Sequence, residues 1–306
     1  MGRKTLAWGI LVSLMVGLAS PALAAGSTPI ESVAAVEQLL YGQTQGGPLV
    51  ARLDKMEKDL FGETKSGALI VRIENINRYI QSSDLSGPSL TLRLNAIEWM
   101  VYESISADQP INRRLEALEM GLYGGPQEGP ILDRVNEMVR LLWARETLKI
   151  SSMELPKETL VKIRLLTEVN SAKNEVGQRI RYRVVDDVKI SDVIMIPAGA
   201  EGVGEVTEVA SAGRMGRDGR VVIDFGTVPA IDGTPVKLEV SERATEKNLS
   251  LEMAAGASMA GIVLLGPVGL AGGYFVKGKD VQILAGTEFF VEVSRGTKAT
   301  GLDLRP

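Results

Sequence analysis

Residues 49–60 read Leu49-Val50-Ala51-Arg52-Leu53-Asp54-Lys55-Met56-Glu57-Lys58-Asp59-Leu60, and the same frame returns four more times down the chain. Arg52, Arg72, Arg93, Arg114 and Arg134 stand 20 or 21 residues apart. Three residues before each lies an aliphatic (Leu49, Leu69, Leu90, Ile111, Ile131), and one residue after lies another (Leu53, Ile73, Leu94, Leu115, Val135). Two more follow, at plus four (Met56, Ile76, Ile97, Leu118, Met138) and plus eight (Leu60, Ile80, Val101, Leu122, Leu142). These offsets trace one face of a helix with about 3.6 residues per turn, so each unit reads as one short amphipathic helix. A single such helix cannot bury its apolar stripe, and the copies must pack on each other or on a partner.

The punctuation agrees. Gly47-Pro48, Pro88, Pro110 and Gly129-Pro130 stand at the starts, where a first turn tolerates proline. Gly42, Gly62 and Gly124 follow Tyr41, Phe61 and Tyr123, where a left-handed cap favours glycine. Residues 33–42 read as the tail of a sixth copy, and the helical repeat domain is expected over 30–148 as hairpins or a small stack. The arginine column has two readings. Five guanidiniums on equivalent faces could grip an anionic polymer or a partner in a bidentate way. Alternatively each lays its stem on the helix and pairs with a carboxylate of a neighbouring copy, such as Glu57, Glu98 or Glu119. Acidic side chains beside the column favour the second.

Near residue 150 the period changes from 3.6 to 2. Stretches 160–167, 179–185, 203–209, 220–225, 236–240 and 288–293 alternate or run apolar with β-branched residues between turn signals, which predicts an all-β domain over 156–296, barrel or sandwich, followed by a polar tail. A second repeat lies inside it: 194–206 aligns without a gap on 281–293, with six of thirteen positions identical. A fainter copy is Leu155-Pro156-Lys157-Glu158-Thr159-Leu160. Each reads as strand, tight turn, strand, with glycine supplying a positive φ. The fold class is thus α+β in two domains.

The 306 residues are 45% hydrophobic and 24% charged, which excludes a wholly disordered chain. There is no His and no Cys, which removes Ser-His-Asp and thiol catalysis, disulfides and Cys/His zinc sites. Net charge is −4, and this acidic balance argues against nucleic acid as a partner. No catalytic constellation, metal set or cofactor motif is legible, and the chain is expected not to be an enzyme.

Along the β region run Gly177–Val188 (G-x-R-I-x-Y-x-V-x-x-D-V), Ile196–Val206 (I-P-A-G-A-x-G-x-G-E-V), Arg220–Phe225 (R-V-V-I-D-F), Asp232–Leu238 (D-G-T-P-V-K-L) and a closing V-x-I-x-A-G-T-x-F-x-V-x-V. In this order they resemble the β-barrel domain of the scaffold subunit of type IV secretion and conjugation machines. The resemblance covers residues 155–293 and implies a barrel. In that family the barrel packs into a ring in the bacterial envelope, and a segment inserted between late strands enters the outer membrane. The front of this chain departs from the family, which has an uncleaved transmembrane helix there, so the resemblance carries the barrel and not the secretion role.

Met253–Val276 holds no charge over 24 residues and is interrupted by Gly266-Pro267. Its length would cross a bilayer, and Gly256, Gly261, Leu264, Leu265 and Gly269 are the candidate membrane or oligomer contacts, against soluble packing on the barrel. At the front, Arg3 and Lys4, an apolar run 6–18 and Ala22-Leu23-Ala24 form a secretory leader, expected to span 1–24 and to be cut after Ala24. The expectation is an exported, non-enzymatic structural or assembly protein of the bacterial cell envelope, in the periplasm or at the outer membrane. Its partner would be an envelope protein or an anionic wall polymer. A ring-forming secretion or channel scaffold with a membrane-inserted segment, self-associating through its barrel, is the first alternative; an envelope glycan-binding protein is the second.

Overall fold

The computed structural model describes residues 28–83, 87–213, 217–241, 243–248 and 280–305. The expected leader and the segment 253–276, with its candidate contacts Gly256, Gly261, Leu264, Leu265 and Gly269, lie outside them.

Six helices of equal length come first: α1 (Pro29–Tyr41), α2 (Leu49–Phe61), α3 (Leu69–Gln81), α4 (Leu90–Tyr102), α5 (Ile111–Tyr123) and α6 (Ile131–Trp143). The plus-one and plus-four positions of the repeat are buried in all five arginine-bearing helices. The sixth copy is α1, complete rather than a tail. It opens with a capping box in which Thr28 Oγ1 accepts from Glu31 N and Glu31 Oε2 accepts from Thr28 N. Pro48, Pro110 and Pro130 occupy the N-cap position, one residue before the first turn.

The helices do not stack in a line. α1 packs on α2, α3 and α5; α2 reaches α6; α4 packs on α3, α5 and α6. Contacts four helices apart depend on glycine. Gly42 (φ 74°) and Gly62 (φ 81°) end α1 and α2 in the left-handed conformation, and a Cβ there would stand 2.6 Å from Pro110 Cγ and 2.8 Å from Pro130 Cγ.

Among the described residues the β half has twelve strands: β1 (Ile150–Leu155), β2 (Leu160–Leu165), β3 (Val169–Asn170), β4 (Arg179–Val184), β5 (Val188–Ile190), β6 (Val193–Ile196), β7 (Glu201–Ala210), β8 (Arg220–Pro229), β9 (Pro235–Glu239), β10 (Gln282–Ile283), β11 (Glu288–Val293) and β12 (Thr297–Asp303). The six stretches expected from the sequence become the six strands of a closed barrel, ordered β11-β2-β4-β7-β8-β9 and sealed where Val293 pairs with Leu238. The barrel is packed through, as small barrels are. Tyr182, Phe225 and Phe289 stack edge to face inside it at 5.5 and 5.8 Å, and Tyr182 Oη donates to the Phe225 carbonyl at 2.7 Å.

The expected polar tail is instead strand β12, antiparallel to β1 in an outer sheet ordered β1-β12-β6-β5. Ala299 and Leu302 face inward, and Gly301 lets Val193 and Ile194 approach. The three tight turns share one geometry. Ala200, Thr287 and Thr159 N–H donate back to the carbonyls of Pro197, Leu284 and Pro156. The residue before each has positive φ: Gly199 at 82°, Gly286 at 91° and Glu158 at 67°.

Candidate functional site

The arginine column is a chain of joints between successive helices. Arg52 Nε and Nη2 donate to Glu37 of α1 at 2.8 and 2.6 Å. Arg72 grips Glu57 of α2 in the same way at 2.9 and 2.6 Å, Arg114 grips Glu98 of α4 at 2.9 and 2.8 Å, and Arg134 grips Glu119 of α5 at 2.6 and 2.6 Å. Each Glu, buried in the helix core, also accepts the backbone N–H eight residues on: Gln45, Lys65, Ser106 and Gln127. One carboxylate therefore closes the loop after its own helix and clamps the next helix. A planar fork on a carboxylate, with the remaining lone pairs satisfied, is the geometry in which a buried ion pair holds.

This corrects one of the two sequence readings. At Arg52, Arg72, Arg114 and Arg134 the bidentate edge is committed inside the molecule, and Arg72 and Arg114 are buried. Those four are not presented to an anionic polymer.

Arg93 differs. The residue in the Glu position of α3 is Asn77, and Arg93 Nε, which everywhere else in the column donates to Glu, is buried with no hydrogen-bond partner. So are Asn77 Nδ2 and Tyr79 Oη. Three of the four buried side-chain polar atoms left unsatisfied among the described residues thus lie at this one joint. Arg93 turns its other edge to α6, where Nη1 donates to Asn136 Oδ1 at 3.0 Å, and its guanidinium lies 5.8 Å from the centroid of the Tyr79 ring. Burial pushes the Tyr79 hydroxyl up to about 12, with Arg93 opposing and Asp133 of α6 reinforcing the shift. α3 also ends differently from its five sisters: its cap, Ser82, is extended (φ −115°) where the others turn left-handed. Between α3 and α4 opens a cleft of about 210 Å³ walled by Arg78, Tyr79, Ser82, Pro88 and Arg93.

The second functional joint is α4 itself, apolar nearly all round and buried against both halves. On one side it carries Glu98. One turn before it, buried Asn95 donates to the Ile231 carbonyl at 2.8 Å while accepting from the same Arg114 Nη2 at 2.6 Å. Trp99 Nε1 donates at 2.9 Å to Asp187, which also accepts the Ala198 N–H of the β6–β7 turn. Ile194, Ile231 and Leu302 of the β half complete the helical core. Gly199 sits so close to the chain after α4 that a Cβ would collide with Ser104 Cα. The sequence signal for this joint was α4's departure from a single apolar stripe, with Leu90, Leu92, Leu94, Ala96 and Ile97 all apolar.

Among the described residues no cluster of carboxylates suits a metal, and no helix is long and apolar enough to cross a membrane. No protein-family model and no curated protein matches the chain. Among solved structures, the chain is similar over 47% of its length to 89% of a chain described as the structure of ComB10 of the Com type IV secretion system of Helicobacter pylori, with a TM-score of 0.27 and 11% sequence identity.

Proposed function

We propose that the protein is a non-enzymatic, exported component of the bacterial cell envelope, a structural or assembly part that holds a partner protein with its helical half. The observation that carries this reading is how the repeat spends its charged groups. Four Arg–Glu joints fix one helix to the next, and α4 fixes the whole block to a barrel whose interior is filled. Such a molecule positions surfaces; the remaining joint, at Arg93, is where buried polar groups stay unpaired beside an open cleft. The leader-like front and the barrel motifs of the sequence support an envelope location.

Fractionation of native cells with N-terminal sequencing tests this. The expected result is a chain beginning at Ala25 in the exported fraction, bound to or released from the washed envelope. An intact leader on a protein in the cytosol would overturn it. A second reading, a ring-forming scaffold, draws on the fact that the strands carrying the motif resemblance are the ones that close the barrel. It requires a large symmetric particle in detergent, and a monomer at every concentration would remove it.

A further inference from the structure

We infer that the α3–α4 cleft is a recognition site for a carboxylate, supplied by an acidic side chain or a chain terminus of a partner polypeptide. The repeat itself provides the template. In four joints the Nε and Nη2 edge of the column arginine is filled by a glutamate from the preceding helix. At the fifth, Asn77 cannot supply that charge. The Arg93 Nε is left buried and unpaired, as are the hydroxyl of the neighbouring Tyr79 and the Asn77 amide nitrogen.

Leaving three such atoms unsatisfied destabilises a folded chain, and a cleft opens at the same joint with a second cation, the exposed Arg78, in its wall. Arg78 makes no ion pair among the described residues. Among the described residues Asp133 is the acidic group felt at Tyr79, where Arg93 opposes it. An incoming carboxylate would accept from Arg93 Nε in the manner of Glu57 or Glu98 and from the Tyr79 hydroxyl, which burial keeps protonated and able to donate. The cleft's volume accommodates an acidic side chain with its methylenes.

The partner as the source of the carboxylate rests on the function proposed above; binding of the group itself does not, and purified full-length protein tests it without reference to location. The probes are acetyl-Gly-Glu-Gly-amide, its Gln counterpart, and acetyl-Gly-Gly-Gly with a free C-terminal carboxylate, titrated by calorimetry and by the Arg Nε–H resonances. Saturable binding of the Glu peptide or the free-terminus peptide is expected, at least about tenfold tighter than the Gln peptide, the scale of one charged hydrogen bond. Whichever of the two binds tighter identifies the source.

Arg93→Gln should weaken binding by about tenfold or more. Asn77→Glu should abolish it by filling the edge from within, and because this change completes the repeat it keeps the test valid if Arg93→Gln fails to fold. No saturable binding by either acid, equal binding of the Gln peptide, or undiminished binding to the Asn77→Glu protein would each overturn the inference. A failed fractionation result with intact binding would remove the envelope role and leave the site.

Discussion

Replacing Glu98 with Ala removes three acceptor interactions at once: Arg114 Nε at 2.9 Å, Arg114 Nη2 at 2.8 Å and Ser106 N at 2.8 Å. Both partners of this pair are about as buried as charged groups become, with 4% of each side chain exposed. Arg114 keeps its bond to Asn95 but loses its counter-charge, so a cation is stranded in the helix core. Breaking a buried pair from one side costs about 3–5 kcal/mol, a large part of a typical total of roughly 5–15 kcal/mol. Glu57→Ala should cost less, because Arg72 retains Asp54 at 2.6 Å, a carboxylate with 39% of its side chain exposed. The assay is urea unfolding at neutral pH, followed by far-ultraviolet circular dichroism with Trp fluorescence as a second probe. Glu98→Ala should lower the midpoint by about 1 M or more at unchanged slope. The double variant Glu98→Leu, Arg114→Met should recover much of the loss, since an apolar replacement of both partners strands no charge. A Glu98→Ala loss below about 1 kcal/mol, or a double variant no better than the single, would refute the reasoning that these pairs hold the helices together.

Further outcomes follow from local geometry. Ala144 holds the left-handed cap of α6 at φ 52° and Glu158 the first β turn at φ 67°, where sister positions carry glycine, so each change to Gly should stabilise by about 1 kcal/mol in thermal melts. Gly42→Ala should do the reverse and more, adding the approach to Pro110 to the backbone strain. Trp99→Phe removes the bond to Asp187 and should lower stability by about 1–2 kcal/mol, read as a lower melting temperature with the fold retained by circular dichroism. Arg305 holds the Asp303 carboxyl well below the usual range, and Lys162 with Arg164 lowers Glu288. Carboxyls lowered in the folded state add stability that is present above their unfolded values, near 4, and is lost as pH falls through the folded ones. The melting temperature should therefore hold from pH 7 to about 5 and fall below about 4, with a shallower fall in Asp303→Asn.

The helices were legible because each copy repeats the same burial demand, and the barrel strands because half-buried strands alternate. The outer strands were not: β12 (Thr297–Asp303) is polar along most of its length, and β3, β5 and β10 are too short to show a period. The pairing of the column was legible as an option, since Glu57, Glu98 and Glu119 recur five residues after an arginine. Which of the two arginines each takes, its own or the next, is set by how the helices pack. The departure at Asn77 is visible as a missing Glu in the third helix of the same alignment, but its meaning needed the neighbours: only the fold shows that the unpaired Arg93 Nε falls with Tyr79 at the α3–α4 cleft. The long-range docking of α4 on Ile231 and Asp187 joins residues far apart in the chain, and no local pattern specifies it.

The most direct test of the account is the stability of Asn77→Glu. If the five joints are one device with one left open, restoring the glutamate supplies Arg93 Nε with its carboxylate and the protein should gain about 1–3 kcal/mol in urea unfolding. The Arg93 Nε–H resonance should then move to match those of Arg72 and Arg114. A neutral or destabilising result, with that resonance unmoved, would contradict the claim that the column is a repeated clamp and that its third link has been left unmade.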